Sequence, residues 1–203
     1  MNTPPIILVN NQQRNTLSVT DRGLAYGDGV FETMLFDTAD VTLWQYHYER
    51  LLEGLKRLQI SIDHDLLCLH LESSLSVLRE YQYSTSLGQG VWKLMVTRGE
   101  GQRGYIPSSE ATANLITIYT PLTEKFFEQN IRLSVQGVSV HYCRERVAMS
   151  PTLAGIKTLS QLPYVLASQE RQGLKAQEGL MFDSDGHLIE ATARNVFMVK
   201  DGV

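Results

Sequence analysis

Lys157 is the residue of this 203-residue chain whose surroundings invite chemistry. It lies in Leu153-Ala154-Gly155-Ile156-Lys157-Thr158-Leu159-Ser160, after a Ser150-Pro151-Thr152 turn and ahead of a helical pattern over Gln161 to Gln172. An ammonium loses its hydration in an apolar setting, so such a lysine either snorkels to water or is used for its amine. Desolvation and the positive end of an adjoining helix both favour the neutral form. A neutral amine is a nucleophile and forms Schiff bases with carbonyl compounds. Taken alone, the plainer reading is an ordinary loop lysine.

A second group of candidates is the loop Arg98-Gly99-Glu100-Gly101-Gln102-Arg103-Gly104-Tyr105. Its glycines match G-x-G-x-x-G after a strand, but a dinucleotide site also needs a helix opening at the third glycine. Here Tyr105-Ile106-Pro107-Ser108-Ser109 is a turn, so that reading is rejected for a tight loop carrying two arginines between strands. The five histidines do not fall at metal-ligand spacing; His141 and Cys143 are two apart and no other pair completes a set, so no metal is expected.

The elements that must position these residues follow from periodicity. Ile6 to Val9 reads as a strand, Asn10-Asn11 as a turn, and Thr16 to Val19 as the returning arm of a hairpin. A glycine-rich stretch from Asp21 to Thr33 leads into a strand over Val30 to Phe36, a turn at Asp37 to Asp40 and a strand over Val41 to Trp44. Tyr48, Leu51, Leu52, Leu55 and Leu58 form the stripe of a helix over Tyr46 to Leu58, where Arg50 and Arg57 share a face and Glu53 can pair with Arg57. A second helix runs from His64 to Tyr81 on Leu67, Leu71, Leu75 and Leu78, with Asp63 as N-cap, and Leu87 to Gly90 closes the region. Strands follow at Val91 to Thr97 and Asn114 to Thr120, and Thr120-Pro121-Leu122-Thr123 marks a domain boundary. Beyond it come a long alternating strand over Ile131 to Val140, the helix after Lys157 with Pro163 in its first turn, and strands at Glu178 to Asp183, His187 to Glu190 and Asn195 to Val199, with Ser184-Asp185-Gly186 as a hairpin turn.

Composition narrows the class. With 43% hydrophobic and 20% charged residues there is enough apolar material for a core, and a net charge of -4 gives no support to nucleic-acid binding by bulk attraction. No run approaches a membrane span, and Met1-Asn2-Thr3-Pro4-Pro5 opens no secretory signal. Cys68 and Cys143 make no disulfide framework, so a reducing cytoplasm is expected.

Taken together, several segments in order resemble the fold-type IV pyridoxal-phosphate enzymes, which include branched-chain and D-amino-acid aminotransferases and aminodeoxychorismate lyase. They are Asp21-Arg22-Gly23 with Tyr26-Gly27-Asp28-Gly29-Val30-Phe31-Glu32-Thr33; His47 with Arg50-Leu51; Gly155-Ile156-Lys157-Thr158-Leu159; Glu178 to Asp183 with Gly186; and Glu190-Ala191-Thr192-Ala193-Arg194-Asn195-Val196-Phe197. Each motif alone is weak, and their agreement in register is what identifies the family. The Arg98 to Tyr105 loop and the Leu153 to Leu159 stretch are most similar to the lyase, although Ser160 stands where lyases commonly carry asparagine.

The resemblance implies roles. Lys157 would hold pyridoxal 5'-phosphate covalently and then act as general base and acid. Glu190 would pair with the pyridine nitrogen, and Arg50 would bind the phosphate, as guanidinium forks suit. Arg98, Arg103 and, more weakly, Tyr105 would meet substrate carboxylates. The plainer alternatives are a strand-end glutamate, an arginine pairing along its helix with Glu49 or Glu53, and a hydrophilic hairpin tip. His47 reads as structural, Tyr26 to Gly29 as pocket wall, and Asp28 as a turn residue.

The implied architecture is α+β with two domains, like that of D-amino-acid aminotransferase. An N-terminal α+β domain covers 1–120, a C-terminal domain carrying the lysine covers 124–203, and the cofactor is expected in the cleft between them. The family continues for several tens of residues beyond the point where this sequence stops, with a loop and helix that hold the phosphate, so the second domain is expected to be incomplete. The expected activity is conversion of 4-amino-4-deoxychorismate to 4-aminobenzoate and pyruvate in folate biosynthesis, by a cytoplasmic homodimer. The alternatives are an aminotransferase on the same scaffold and a non-catalytic fragment or dimerisation module.

Overall fold

A computed structural model describes residues 4–37, 40–85 and 89–202. The chain divides into two units, Met1–Thr123 with Gly155–Ser160, and Glu124–Ala154 with Gln161–Val203.

In the first unit, β1 (Ile6–Val9) turns through Asn10 and Asn11 into β2 (Gln12–Gln13). Both asparagines lie at positive φ, 50° and 60°, a conformation asparagine tolerates and a two-residue hairpin needs. This turn pairs Val9 with Gln12, so Gln12–Gln13 is the returning arm and the strand expected over Thr16 to Val19 does not form. A short helix that periodicity did not reveal, α1 (Arg22–Tyr26), precedes β3 (Gly29–Asp37) and β4 (Asp40–Val41). The strand expected over Val41 to Trp44 stops at Val41, because Leu43 turns left-handed at φ 56° and Trp44 opens α2 (Trp44–Arg57). Then come α3 (His64–Thr85), β5 (Gly90–Thr97) and β6 (Asn114–Pro121). Asp63 caps α3 as expected: its carboxylate accepts from the Leu66 N–H at 2.8 Å. The middle of the Asp37 to Asp40 turn and the first half of the Leu87 to Gly90 segment lie outside the described residues.

Among the described residues, these strands form one antiparallel sheet in the order β2-β1-β6-β5-β3-β4. Side chains alternate between its faces. Val30, Met34 and Phe36 of β3 point to the same side as Trp92, Leu94 and Val96 of β5 and Leu115 and Tyr119 of β6. That face is covered by Leu51 and Leu55 of α2 and Leu67, Leu71 and Leu78 of α3, completing the core.

The second unit holds α4 (Glu124–Gln136), β7 (Val140–Arg146), α5 (Leu162–Gly173), β8 (Glu178–Phe182) and β9 (Leu188–Ala191). Strand β8 lies between β7, parallel to it, and β9, antiparallel. A small core of Cys143, Ala167 and Met181 is flanked by Val147 and Tyr164. The strand expected over Ile131 to Val140 is instead mostly helix. Ile131, Leu133 and Val135 alternate, but Phe127, Ile131 and Val135 also recur every fourth residue, and the helical period prevails until Gly137, at φ 77°, ends it by donating to the Leu133 carbonyl at 2.9 Å. The strand expected over Asn195 to Val199 is also absent: its backbone finds no strand partner among the described residues, and Phe197 and Met198 are exposed.

The register of α3 can be tested by truncation. Leu67 is fully buried and Leu69 is 62% exposed. Leu67→Ala is expected to cost about 2–5 kcal/mol in urea unfolding. Leu69→Ala should stay within about 0.5 kcal/mol. Equal costs would show that the buried stripe is misassigned.

Candidate active site

The Lys157 stretch is built onto β3. The Phe31 N–H donates to the Lys157 carbonyl and the Leu159 N–H to the Gly29 carbonyl, each at 2.9 Å, around a bridge between Val30 and Thr158. This pairing is why Gly155–Ser160 belongs to the first unit, whereas the sequence reading grouped Lys157 with the C-terminal domain. The segment uses the part of the β3 edge that β4 leaves free. Gly27, at φ 66°, permits the approach, since a Cβ there would fall 2.5 Å from the Ser160 hydroxyl.

Lys157 is exposed rather than enclosed by apolar neighbours as expected, and its ammonium lies 5.4 Å from the Phe31 ring centroid. The Lys93 ammonium, from β5, lies 5.0 Å from the same centroid. A cation is attracted to the ring face by about 0.5–1 kcal/mol at an exposed site. Lys93 was not singled out from the sequence. Its signal was available: it is a cation at an alternate position of an otherwise apolar strand.

Arg50 is paired across to β3, not along its own helix. Glu32, 1% exposed, accepts from Arg50 Nε at 2.7 Å and Nη2 at 2.6 Å, and His47 Nδ1 lies 2.7 Å from the same carboxylate. Residues 47 and 50 share a helix face, which lets both reach one acceptor. Glu53 pairs with Arg57 at 2.7 Å, as expected. Removing one partner of such a buried pair leaves the other group uncompensated, which is costly. Glu32 was missed, although it stands at a core position of β3 between Val30 and Met34. The fork leaves Arg50 Nη1 without a hydrogen bond among the described residues.

Arg98 differs from its expected role. Its Nε and Nη2 donate to the two Asp28 oxygens at 2.8 and 3.0 Å, and Nη2 and Nη1 donate to the Leu58 and Gln59 carbonyls at 2.6 and 2.7 Å. With its donors so engaged, Arg98 ties the loop to the end of α2. Asp28 is correspondingly more than a turn residue, because Arg22 Nε also donates to it at 2.8 Å. Burial pushes the Asp28 carboxyl up, but hydrogen bonds and charge from Arg98 and Arg22 outweigh it and hold the group below the usual carboxylate range. Arg103 and Tyr105 are exposed, and the Tyr105 ring lies 5.6 Å from that of Tyr26.

In the second unit, Glu190 of β9 accepts from the hydroxyl of Tyr164 on α5. Burial, then Glu190, push the Tyr164 phenol well up. Asp183, Asp185 and His187 bring possible ligand atoms within 4.8 Å of one another, a group that sequence spacing did not suggest. Turn geometry accounts for it: the Asp183 carboxylate accepts from the N–H groups of Asp185 and His187 at 2.9 and 2.8 Å. No helix of the described residues is long and apolar enough to cross a membrane.

Residues 29–203 match the amino-transferase class IV family. An aminodeoxychorismate lyase of Vibrio harveyi is 30% identical over 193 residues, covering 95% of this chain and 67% of the relative. The crystal structure of 4-amino-4-deoxychorismate lyase from Pseudomonas aeruginosa superposes with a TM-score of 0.77 at 38% identity, covering 93% of this chain and 65% of that one. A D-alanine aminotransferase of Staphylococcus aureus is 24% identical, covering 92% of this chain and 62% of the relative. The chain thus spans about two thirds of the length of these proteins.

The Asp28 hub has a pH signature. A depressed carboxyl pKa contributes stability that is present above the unfolded value and lost as pH falls through the folded value. Asp28→Asn should destabilise at neutral pH by about 1.5–3 kcal/mol, the usual worth of hydrogen bonds to charged groups. The difference from wild type should hold down to about pH 4 and shrink below it. Urea titrations at several pH values would show this; a difference independent of pH would mean that Asp28 is not ion-paired.

Proposed function

The chain belongs to the amino-transferase class IV family, and from that premise we propose that the protein is a pyridoxal-phosphate-dependent lyase that converts 4-amino-4-deoxychorismate to 4-aminobenzoate and pyruvate. The observation that supports the lyase reading is the 38% identity to the Pseudomonas aeruginosa lyase, since the Vibrio harveyi lyase and a putative branched-chain-amino-acid aminotransferase of Methanocaldococcus jannaschii both stand at 30%.

Each unit taken by itself carries residues whose chemistry suits the cofactor. The Lys157 ammonium meets an aromatic ring and no carboxylate among the described residues, so its amine is available to a carbonyl. Arg50 is aimed by Glu32 and keeps Nη1 for a phosphate oxygen. In the second unit Glu190, one of whose carboxylate oxygens accepts from Tyr164, would be the residue to keep the pyridine nitrogen protonated. When bound, pyridoxal phosphate supplies an electron sink for the carbanion at the substrate carbon.

The remaining work falls to side chains. Lys157 Nζ takes the proton from ring C4 of the substrate. Loss of that proton and departure of the neighbouring enolpyruvyl ether aromatise the ring, and a proton delivered to the methylene carbon completes pyruvate. The two products together contain every atom of the substrate, so no oxidant or second substrate is consumed. Lys93 and Arg103 are the cations proposed to meet its two carboxylates, in place of Arg98.

An aminotransferase would use the same lysine and glutamate, and the likeness to a D-alanine aminotransferase is what favours that second reading. The full-length protein loaded with cofactor is expected to release pyruvate from aminodeoxychorismate, with borohydride fixing the cofactor to Lys157. Lys157→Ala should reduce the rate by at least about 10²-fold. Conversion of the cofactor to its amine form by an amino acid, without pyruvate release, would instead identify the aminotransferase.

A further inference from the structure

The loop between β5 and β6 spans residues 98–113 without a helix or extended strand, and its tip exposes Arg103, Tyr105 and Ile106. Such a segment pays an ordering cost on binding unless something orders it first. Arg22, 4% exposed, lies beneath it. Its Nη1 donates to the Gly104 carbonyl at 3.0 Å and its Nη2 to the Tyr105 carbonyl at 2.8 Å, while Nε is anchored on Asp28 at 2.8 Å. Its guanidinium carbon lies 4.7 Å from the Tyr26 ring centroid, and the Tyr26 hydroxyl accepts from the Gly104 N–H at 3.4 Å. Gly101 makes room for this arrangement, because a Cβ there would fall 2.7 Å from Arg22 Cδ.

We propose that Arg22 is a positioning residue: fixed by Asp28, it holds the carbonyls of Gly104 and Tyr105 so that the tip presents Arg103 to the substrate already ordered. This rests on the reading above, in which Arg103 meets a substrate carboxylate. The geometry requires a planar fork. One guanidinium reaches a carboxylate and two consecutive carbonyls from three nitrogens, whereas a lysine ammonium keeps the charge next to Asp28 but presents a single nitrogen. Arg22 does not touch substrate in this scheme; it acts through the two carbonyls that follow the Arg103–Gly104 peptide bond.

The test compares Arg22→Lys, Arg103→Ala and the double variant in the full-length holoenzyme, with two readouts. One is the initial rate of trypsin cleavage after Arg103, followed by mass spectrometry. The other is steady-state kinetics on aminodeoxychorismate. Arg22→Lys is expected to speed cleavage at least about fivefold, since local opening sets that rate. It should raise KM about tenfold with kcat and the cofactor absorption band little changed. In the double variant, loss of Arg103 should cost less than it does alone, because the two residues act through one tip. Unchanged cleavage overturns the clamp. Faster cleavage with unchanged KM, or strictly additive losses, overturns its role in positioning. If Arg103→Ala leaves KM at the wild-type value, the substrate-contact reading itself has failed, and the inference falls with it. Should Arg22→Lys not fold, Tyr26→Leu removes the ring over Arg22 at a partly exposed position and is expected to move both readouts in the same direction by a smaller factor; no movement overturns the proposal.

Discussion

The constraint on which the rest of the first unit depends is the two-residue period of β3. Val30, Glu32, Met34 and Phe36 must face α2 and α3, so Phe31, Thr33 and Leu35 face the other way. Slipping the strand by one residue would exchange the two sets. The backbone that carries this alternation also provides the edge on which Lys157 is held, through hydrogen bonds at Gly29 and Phe31. Core and candidate active site are therefore not independent: the register that buries Met34 also presents the Phe31 ring to Lys93 and Lys157.

One member of the inward set is a carboxylate, and the way Glu32 is satisfied explains much of α2. An unpaired charge at that depth would cost several kcal/mol. Arg50 offers two parallel N–H donors and His47 a third contact, so the helix must present that face to the strand. Asp28 solves the same problem at the start of β3 with two guanidiniums, from α1 and from the loop after β5. In both places arginine can act as a multi-armed bracket because its donors are planar and spread, which a lysine does not match.

Elements with one dominant period were legible from the sequence. Helix α2 shows a leucine stripe with no competing alternation, and α3 adds a capping aspartate at its start. β5 and β6 alternate cleanly. Helix α4 was not legible, because Phe127, Ile131 and Val135 satisfy the helical period while Ile131, Leu133 and Val135 satisfy the strand period, and nothing local breaks the tie. The returning arm of the first hairpin was misplaced for a different reason. Asn10-Asn11 fixes the register immediately, so two glutamines of weak β propensity form the arm while the more apolar Leu17 and Val19 do not. At the candidate site, Lys157, Arg50 and Glu190 could be named because motifs carried them. Glu32, Arg22 and Tyr164 could not be named as partners, since each acts across a long stretch of chain.

The two arginines of the 98–105 loop show what decides a functional reading once residue types agree. Both are cations on one glycine-rich segment, and composition treats them alike. Arg98 sits where a strand ends beside a carboxylate and the carbonyls at the end of α2, and its donors are spent there. Arg103 sits between Gly101 and Gly104, with the carbonyls of the next two residues taken by Arg22 and its own side chain exposed. A guanidinium that already satisfies internal acceptors cannot bind an anion without leaving them, and leaving them exposes the penalty of unpaired buried groups. The count of unspent donors, rather than the presence of an arginine, therefore separates a bracket from a group free to bind, and by that count Arg98 is the bracket.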